Sequence, residues 1–389
     1  MRKMAFYVAA TGQNVGKTTM CLGLVSGLKE RCGSVGYMKP VGQESVETDS
    51  GASVDKDVLL FQSHFGLEEQ PEMMSPVLFP RGFTRDYLDG KVDGKALIGR
   101  IIRSFEMLNG THPATVVEGT GHMGVGSIVG LNNAQVAATL GVPVVLVASG
   151  GLGSSFDEIT LNKILCDQLG VRLAGVILNR VLDDKREMVL RYMQKALSRW
   201  NVPILGAVPF SPFLSTPTLK DFEHLFQTEL LTGQAHRLRH LPQISLIATT
   251  VELYKTSLSP GQLIITPAGR EEIILTTLTR YWDLKISHPE EEVEMGMILT
   301  GRTPPKESLV EQIRRAEIPM LYVPLSSFAA LKMINSYTAK IRREDVEKIN
   351  EAVDIVSRHI DFERLVASVH SPLPPTDEPF KDRFRSDAG

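Results

Sequence analysis

An apolar run over residues 4–10 ends in the turn ATGQNVGKTT, residues 10–19, and passes straight into a helix-like pattern over 18–31. No other feature constrains the fold as strongly. A glycine-rich turn between a buried strand and a helix lets backbone N–H groups wrap an anion, and the positive end of the helix dipole faces the same place. Gly16, Lys17 and Thr18 then supply close approach, an ammonium for terminal phosphates and a hydroxyl for a divalent cation. The common string G-x-x-x-x-G-K-[ST] is not met, because Thr11 stands where its first glycine belongs. With strand before and helix after, the turn from Thr11 through Gly12, Gln13, Asn14, Val15, Gly16, Lys17 and Thr18 to Thr19 is still expected to cradle a nucleotide's phosphates.

The rest of the first 210 residues repeats the strand–helix alternation. Nearly continuous apolar runs at 34–38, 114–117, 143–148, 173–178 and 204–208 predict strands buried on both faces, and 134–140 and 185–200 predict helices between them. The expected fold class is therefore α/β, a parallel sheet of P-loop NTPase type with helices on both faces, plus a second, smaller α/β domain. A punctuation recurs at Gly141-Val142-Pro143, Asn201-Val202-Pro203 and Glu317-Ile318-Pro319, where proline ends a helical stretch and starts an apolar run. A chain of 389 residues has room for two or three domains. The expected division is 1–210, then 211–345 with a proline-rich linker over 209–221 at its start, then 346–389 as a helix and a loose tail from 371. Strands at 262–266 and 295–300, each followed by a helix, mark the second domain.

Other chemistry-bearing residues fall where such a sheet presents them. Lys39 closes the second strand, and Glu118 closes the third ahead of a loop with four glycines. A lysine there is either a solvated surface group or a contact for phosphates, and a carboxylate there either caps the turn or holds magnesium directly or through water. Asp55 and Asp57 follow Ser53, which is placed to cap a helix, so Asp57 serves either the helix dipole or the cation. His122 lies in the loop after Glu118 and carries little weight alone. Cys21, Cys32 and Cys166 have no metal or redox spacing and read as buried thiols. Net charge is only -3, which gives no general attraction to nucleic acid or anionic membrane, and no segment reaches the length of a membrane span. A cytoplasmic location is the expectation.

These residues resemble a known family. Residues 1 to about 210 are similar to dethiobiotin synthetase, a P-loop enzyme related to the cobyrinic acid amide synthases, whose loop reads G-T-x-T-x-V-G-K-T with threonine where Thr11 stands here. Ala10, Thr11, Val15, Gly16, Lys17 and Thr18 fit that loop, and Gly12 and Gln13 depart from it. Lys39-Pro40-Val41 matches the family's K-P-V, Asp57 its helix-borne magnesium aspartate, Glu118-Gly119-Thr120-Gly121 its E-G-x-G, and Asn179 an asparagine that contacts adenine. The resemblance implies ATP and Mg2+ as cofactors, with Thr18, Asp57 and Glu118 around the metal and Lys17 and Lys39 as the catalytic cations. Two departures, Gly42-Gln43 where the family has a substrate-binding serine or threonine and the extended loop through His122, speak against the biotin-pathway reaction.

The second half resembles the DRTGG domain, which follows a dethiobiotin-synthetase-like region in long phosphate acetyltransferases. The segments STPTLKDFEHLFQTELLTG, GQLIITPAGREEIILTTL and GMILTGRTPP carry the likeness, although only Gly301-Arg302-Thr303 approaches the naming motif. Too few residues follow 345 for an acetyltransferase catalytic domain, so acetyl transfer is not expected from these residues alone. The expected function is an ATP- and magnesium-binding module fused to a regulatory or sensor domain, acting as a slow ATPase or metabolic regulator. The alternatives are an ATP-dependent carboxylate- or carbamate-activating ligase, with Gln43 or His122 near the acceptor, and a regulatory partner of a separate phosphate acetyltransferase. The expected partners are ATP, an unidentified small metabolite and further copies in a homo-oligomer, with no nucleic acid or membrane.

Overall fold

The computed structural model describes residues 3–48, 50–290 and 292–371. The chain forms two compact units, residues 1–210 with 349–389, and residues 211–348.

The first unit is built on six strands: β1 (Met4–Ala10), β2 (Val35–Met38), β3 (Ala114–His122), β4 (Val144–Ser149), β5 (Leu173–Val181) and β6 (Ile204–Pro209). They lie in the order β6-β5-β4-β1-β3-β2, and every neighbouring pair is parallel. Val8, Val116, Val145 and Leu146 are fully buried, as expected for a sheet covered on both faces. The strand order reverses at β1, whose carboxyl end therefore opens into the crevice where such sheets bind ligands. The phosphate-loop candidate begins at that end.

The expected strands are all present, and β3 and β5 run several residues beyond the apolar stretches that announced them. Their polar ends, Glu118 to His122 and Asn179 to Val181, still find ladder partners on β1, β4 and β6, which apolar patterning cannot reveal. The helix expected over 185–200 is a short 3-10 turn, Asp183–Lys185, followed by helix Arg186–Ser198. Within the expected linker, residues 209–221, the structure forms short helices. Pro212 occupies the first turn of helix Pro212–Ser215, where a missing N–H costs nothing, and Thr218 and Asp221 form a capping box that starts helix Leu219–Phe226.

Where one C-terminal helix is expected, the structure has two, Val346–His359 and Phe362–His370, and residues 349–371 belong to the first unit. They lie on helix α1 (Lys17–Cys32) across two small positions: a Cβ on Gly23 would fall 2.3 Å from Val356 Cβ, and one on Gly27 would fall 2.1 Å from the Phe362 ring. The Arg31 guanidinium stands 4.2 Å from the centroid of that ring. The tail expected from 371 onward lies, from residue 372, outside the described residues.

The second unit has five strands: β7 (Leu230–Thr232), β8 (Gln243–Leu246), β9 (Gln262–Pro267), β10 (Met295–Thr300) and β11 (Met320–Val323). Their order is β7-β11-β10-β9-β8, with β7 antiparallel to β11 and the rest parallel. One face of the sheet packs Ile264, Met295, Met297 and Leu299 against helix Glu271–Ser287, and the other packs Leu263, Ile265, Ile298 and Leu321 against helix Ser327–Ser336. The three proline turns share a conformation, since Gly141, Asn201 and Glu317 have φ of 66°, 53° and 55°. A left-handed residue ends each helix, and the following proline keeps it from resuming. Among the described residues, no helix is long and apolar enough to cross a membrane.

Candidate nucleotide site

The turn after β1 is fixed from both sides. Thr11 is buried: its N–H donates to the Val147 carbonyl at 2.9 Å, its hydroxyl to Glu158 at 2.8 Å, and its own carbonyl accepts from Asn162 at 3.3 Å. The threonine that replaces the usual glycine thus ties the loop to helix Gly153–Gln168. At the far end, Asn179 Nδ2 donates to the Val15 carbonyl at 2.7 Å, and its Oδ1 accepts from the Arg180 N–H at 2.9 Å. Asn179, which the resemblance assigned to adenine, here gives its Nδ2 to the loop, while its Oδ1 takes the N–H of the next residue.

Gly16 is the residue this arrangement cannot replace. Its φ is 102°, and a Cβ would fall 2.4 Å from Asn179 Nδ2. Asn14 is also left-handed, with φ 57°. Gln13 and Asn14 are exposed, and Gly12, Val15, Lys17, Thr18 and Thr19 are half-buried. Helix α1 starts with no side-chain cap and no acidic residue in its first turn. An N-terminus without a cap or countercharge is the electrostatic condition for holding an anion.

Beside that helix start the structure gathers a buried charge cluster. The Lys39 ammonium touches the Asp57 carboxylate, lies 3.0 Å from Asp55 Oδ1 and 3.9 Å from Glu118 Oε1. Glu118 accepts from the Thr18 hydroxyl at 2.8 Å and from the Tyr37 hydroxyl at 2.9 Å. Thr18, Lys39, Asp57 and Glu118 therefore meet, while Lys17 stands close enough to feel them. Among the described residues no three His, Cys, Asp or Glu side chains are arranged as ready metal ligands, and here the carboxylates converge on Lys39 instead.

Burial opposes the charge on Lys39, but Asp57, Glu118 and Asp55 outweigh it and hold the ammonium well above the ordinary lysine range. Burial also pushes Asp57 up, and Lys39 overrides it, leaving that carboxyl below its usual value. Glu118 goes the other way: burial, reinforced by Asp57, raises it despite Lys39. The Lys17 ammonium is lowered by burial, with Lys39 adding to the effect and Glu118 opposing it.

Sequence reasoning underweighted Asp55 and missed Tyr37. Helix Lys56–Phe65 is capped by Asp55, not by Ser53, which lies in the short strand Ser53–Asp55. The Asp55 carboxylate accepts from the N–H groups of Asp57, Gln43 and Glu44 at 3.1, 3.0 and 3.3 Å, so one buried side chain shapes the loop after Lys39 and pairs with its ammonium. The signal was the D-x-D spacing ahead of an apolar helix. Tyr37 stacks on Phe61 with centroids 3.7 Å apart, and nothing in an apolar strand marks its hydroxyl as a partner for Glu118. Gly119 is required next to Glu118, because a Cβ would lie 2.6 Å from Tyr7 and 2.7 Å from Asn133. His122 and Gln43 are both exposed, and His122 Nδ1 accepts from the Gly124 N–H at 3.2 Å. Cys21 and Cys166 are buried, and Cys32 is half-buried.

A parallel sheet reversing at β1, with a glycine turn and helix following that strand, defines a P-loop α/β protein. Residues 4–218, over half of the chain, match the AAA domain family, and residues 223–337 match the DRTGG domain. The chain belongs to the AAA domain family and carries a DRTGG domain after it. It is 25% identical over 368 residues to a phosphate acetyltransferase of Nitratidesulfovibrio vulgaris, covering 92% of this chain and 51% of that enzyme. The chain thus spans about half the length of the phosphate acetyltransferases it matches. It is 28% identical over 207 residues to an ATP-dependent dethiobiotin synthetase of Bacillus subtilis subsp. natto, covering 52% of this chain and 86% of the synthetase. The MinD cell division protein of Aquifex aeolicus aligns with TM-score 0.34 and 15% identity over 54% of this chain and 84% of MinD. Both resemblances read from the sequence are thereby met.

Proposed function

We propose that the first unit binds ATP with magnesium and that the chain is a regulatory module, in which slow hydrolysis alters the state of the DRTGG domain. The observation that carries this reading is the meeting of Thr18, Lys39, Asp57 and Glu118 beside an uncapped helix start. The residues fit the group: the start of α1 carries neither a side-chain cap nor an acidic residue, and hydroxyl and carboxylate oxygens suit a hard cation. The 28% identical dethiobiotin synthetase is described as ATP-dependent, which supports ATP as the nucleotide.

In this reading the backbone from Gly12 to Thr19 and the Lys17 ammonium hold the phosphates, and the Thr18 hydroxyl with Asp57 and Glu118 holds the cation. Magnesium-ATP supplies a terminal phosphoryl group activated for transfer. The chain's own part is positional and electrostatic: Lys17 brings an ammonium to the helix start, Lys39 holds Asp57 and Glu118 together beside it, and Tyr37 donates to Glu118, which also accepts from Thr18. Lys39 keeps its proton throughout, since three carboxylates surround it. The buried Cys21 and Cys166 suit a reducing cytoplasm.

One observation weighs against a dethiobiotin-type ligase: Gln43 stands exposed where a small hydroxyl would suit the substrate. A second reading, regulation of a separate phosphate acetyltransferase, is favoured by a likeness to those enzymes that runs over 92% of this chain, through both domains.

Magnesium-ATP is expected to raise the melting temperature of the chain, and Lys17→Ala to abolish the rise. A full response in the variant overturns the loop assignment. Phosphate release that stays flat across carboxylates and diamines supports the regulator, and release stimulated by one of them supports the ligase.

A further inference from the structure

A cavity of ≈ 460 Å³ lies along β6, at the outer edge of the first sheet. Two strands separate β6 from β1, so the cavity is distinct from the phosphate loop. Segments far apart in sequence build it: Arg186 and Arg191 from helix Arg186–Ser198, and His359, Asp361 and Arg364 from the junction of the two C-terminal helices.

The edge strand organises this wall. The Asp361 N–H donates to the Leu205 carbonyl at 2.8 Å, and Gly206 bridges Ile360 so closely that a Cβ on Gly206 would fall 2.5 Å from the His359 carbonyl oxygen. Arg186 donates from one terminal nitrogen to the Ala207 carbonyl at 2.7 Å, and Arg364 from one to the Ile204 carbonyl at 3.2 Å. These bonds cover an otherwise open sheet edge and fix both guanidinium groups in place. Each group keeps further N–H donors, because a guanidinium carries five. Edge protection does not account for Arg191, which is exposed on the same wall, 5.6 Å from the Tyr192 ring centroid.

Three guanidinium groups thus share one cavity with a single carboxylate, Asp361, which lies 3.5 Å from Arg364 Nε. This excess of positive charge stands in a chain whose net charge is -3. Like charges drawn together at the surface cost energy unless an anion joins them, and planar guanidinium groups match phosphate oxygens two at a time. Leu190 and Leu205 add apolar wall. The size falls within the range of small-molecule sites, about 300–1,000 Å³.

We propose that this groove binds an organic phosphate, a multiply charged small molecule whose phosphates sit on Arg186, Arg191 and Arg364 and whose carbon part rests on Leu190. It is a ligand site separate from the P-loop, and it exists only when the C-terminal helices return to the edge of the sheet.

The test is calorimetric titration of inorganic pyrophosphate into the full chain carrying Lys17→Ala, which disables the loop. One saturable site is expected to remain. Adding Arg191→Gln and Arg364→Gln should weaken it about tenfold or more, as loss of charge-assisted bonds does, and Arg191→Gln by itself should leave the melting temperature unchanged. Should Arg364→Gln unfold the edge, Arg191→Gln alone still tests the site, since that side chain holds no backbone group. No pyrophosphate binding after Lys17→Ala, or equal affinity with and without Arg191, overturns the proposal. Failure of the P-loop reading shows separately, as ATP binding that ignores Lys17.

Discussion

Thr18 and Glu118, one hundred residues apart, are joined by a 2.8 Å hydrogen bond from the hydroxyl at the start of helix α1 to the carboxylate at the end of β3. The bond exists because β1 and β3 are neighbours in register, with Val8 opposite Glu118. It brings the loop's hydroxyl to the carboxylate cluster around Lys39, and the stability and ligand response of the first unit should both depend on that cluster.

Removing the cation should expose the cost of the cluster. Lys39→Met leaves Asp55, Asp57 and Glu118 buried without their partner, and breaking a buried ion pair from one side costs about 3–5 kcal/mol. Urea unfolding near neutral pH measures the loss. A loss too small to detect would show that water reaches the cluster.

The same cluster sets a pH dependence. Asp57 titrates below its unfolded value, so its contribution is present above the ordinary carboxylate range and is lost as pH falls through the lowered folded value. Glu118 titrates above its unfolded value, so its effect has the opposite sign: it favours the folded state below the ordinary range and loses that as pH rises through the raised value. Lys39 favours folding below the ordinary lysine range and loses this only at strongly alkaline pH. The gap between wild type and Lys39→Met should therefore narrow from about pH 7 to about pH 4, as the orphaned carboxylates take up protons. A constant gap across urea midpoints at both values would contradict the assignment.

Gly16→Ala tests the loop without altering charge. A left-handed conformation costs a residue with a Cβ about 1–2 kcal/mol, and the contact with Asn179 adds to it. The variant should melt lower and lose its response to magnesium-ATP, whereas Gly33→Ala, also at positive φ but with nothing near its Cβ, should lose stability alone.

In the second unit, Asp221 is buried and accepts from Thr218, Tyr337 and Arg342. Arg342→Met should destabilise that unit by about 3 kcal/mol, at the lower end for a buried pair because Arg342 is partly reached by solvent. Denaturant melts followed by Trp282 fluorescence, with Trp200→Phe in both proteins compared, report on that unit.

Glu317 holds φ 55° without being glycine. Glu317→Gly should stabilise the second unit by about 0.5–1 kcal/mol, and Asn201→Gly should change the first by less, because asparagine tolerates the left-handed region. Equal effects in thermal melts would argue against backbone strain as the cause.

Short-range signals in the chain established more than half of this picture. Apolar runs of strand length announced the six strands of the first sheet, the prolines at 143, 203 and 319 marked three helix ends, and Gly16-Lys17-Thr18 located the loop, because each depends on residues a few positions apart. Patterning also brought Lys39, Asp57 and Glu118 to strand and helix ends. Only the tertiary structure decided what those ends do to one another. The sheet order places Glu118 under Thr18, the Asp55 cap directs a carboxylate at Lys39, and Tyr37 joins through a hydroxyl hidden in an apolar strand. It alone sets the C-terminal helices on Gly23 and Gly27 and closes the arginine groove with residues more than 150 positions from Arg186. Local spacing fixes conformation through sterics and hydrogen bonding within a few residues, whereas charge pairing and close packing between distant segments depend on which strands become neighbours, and that is settled only when the whole sheet assembles.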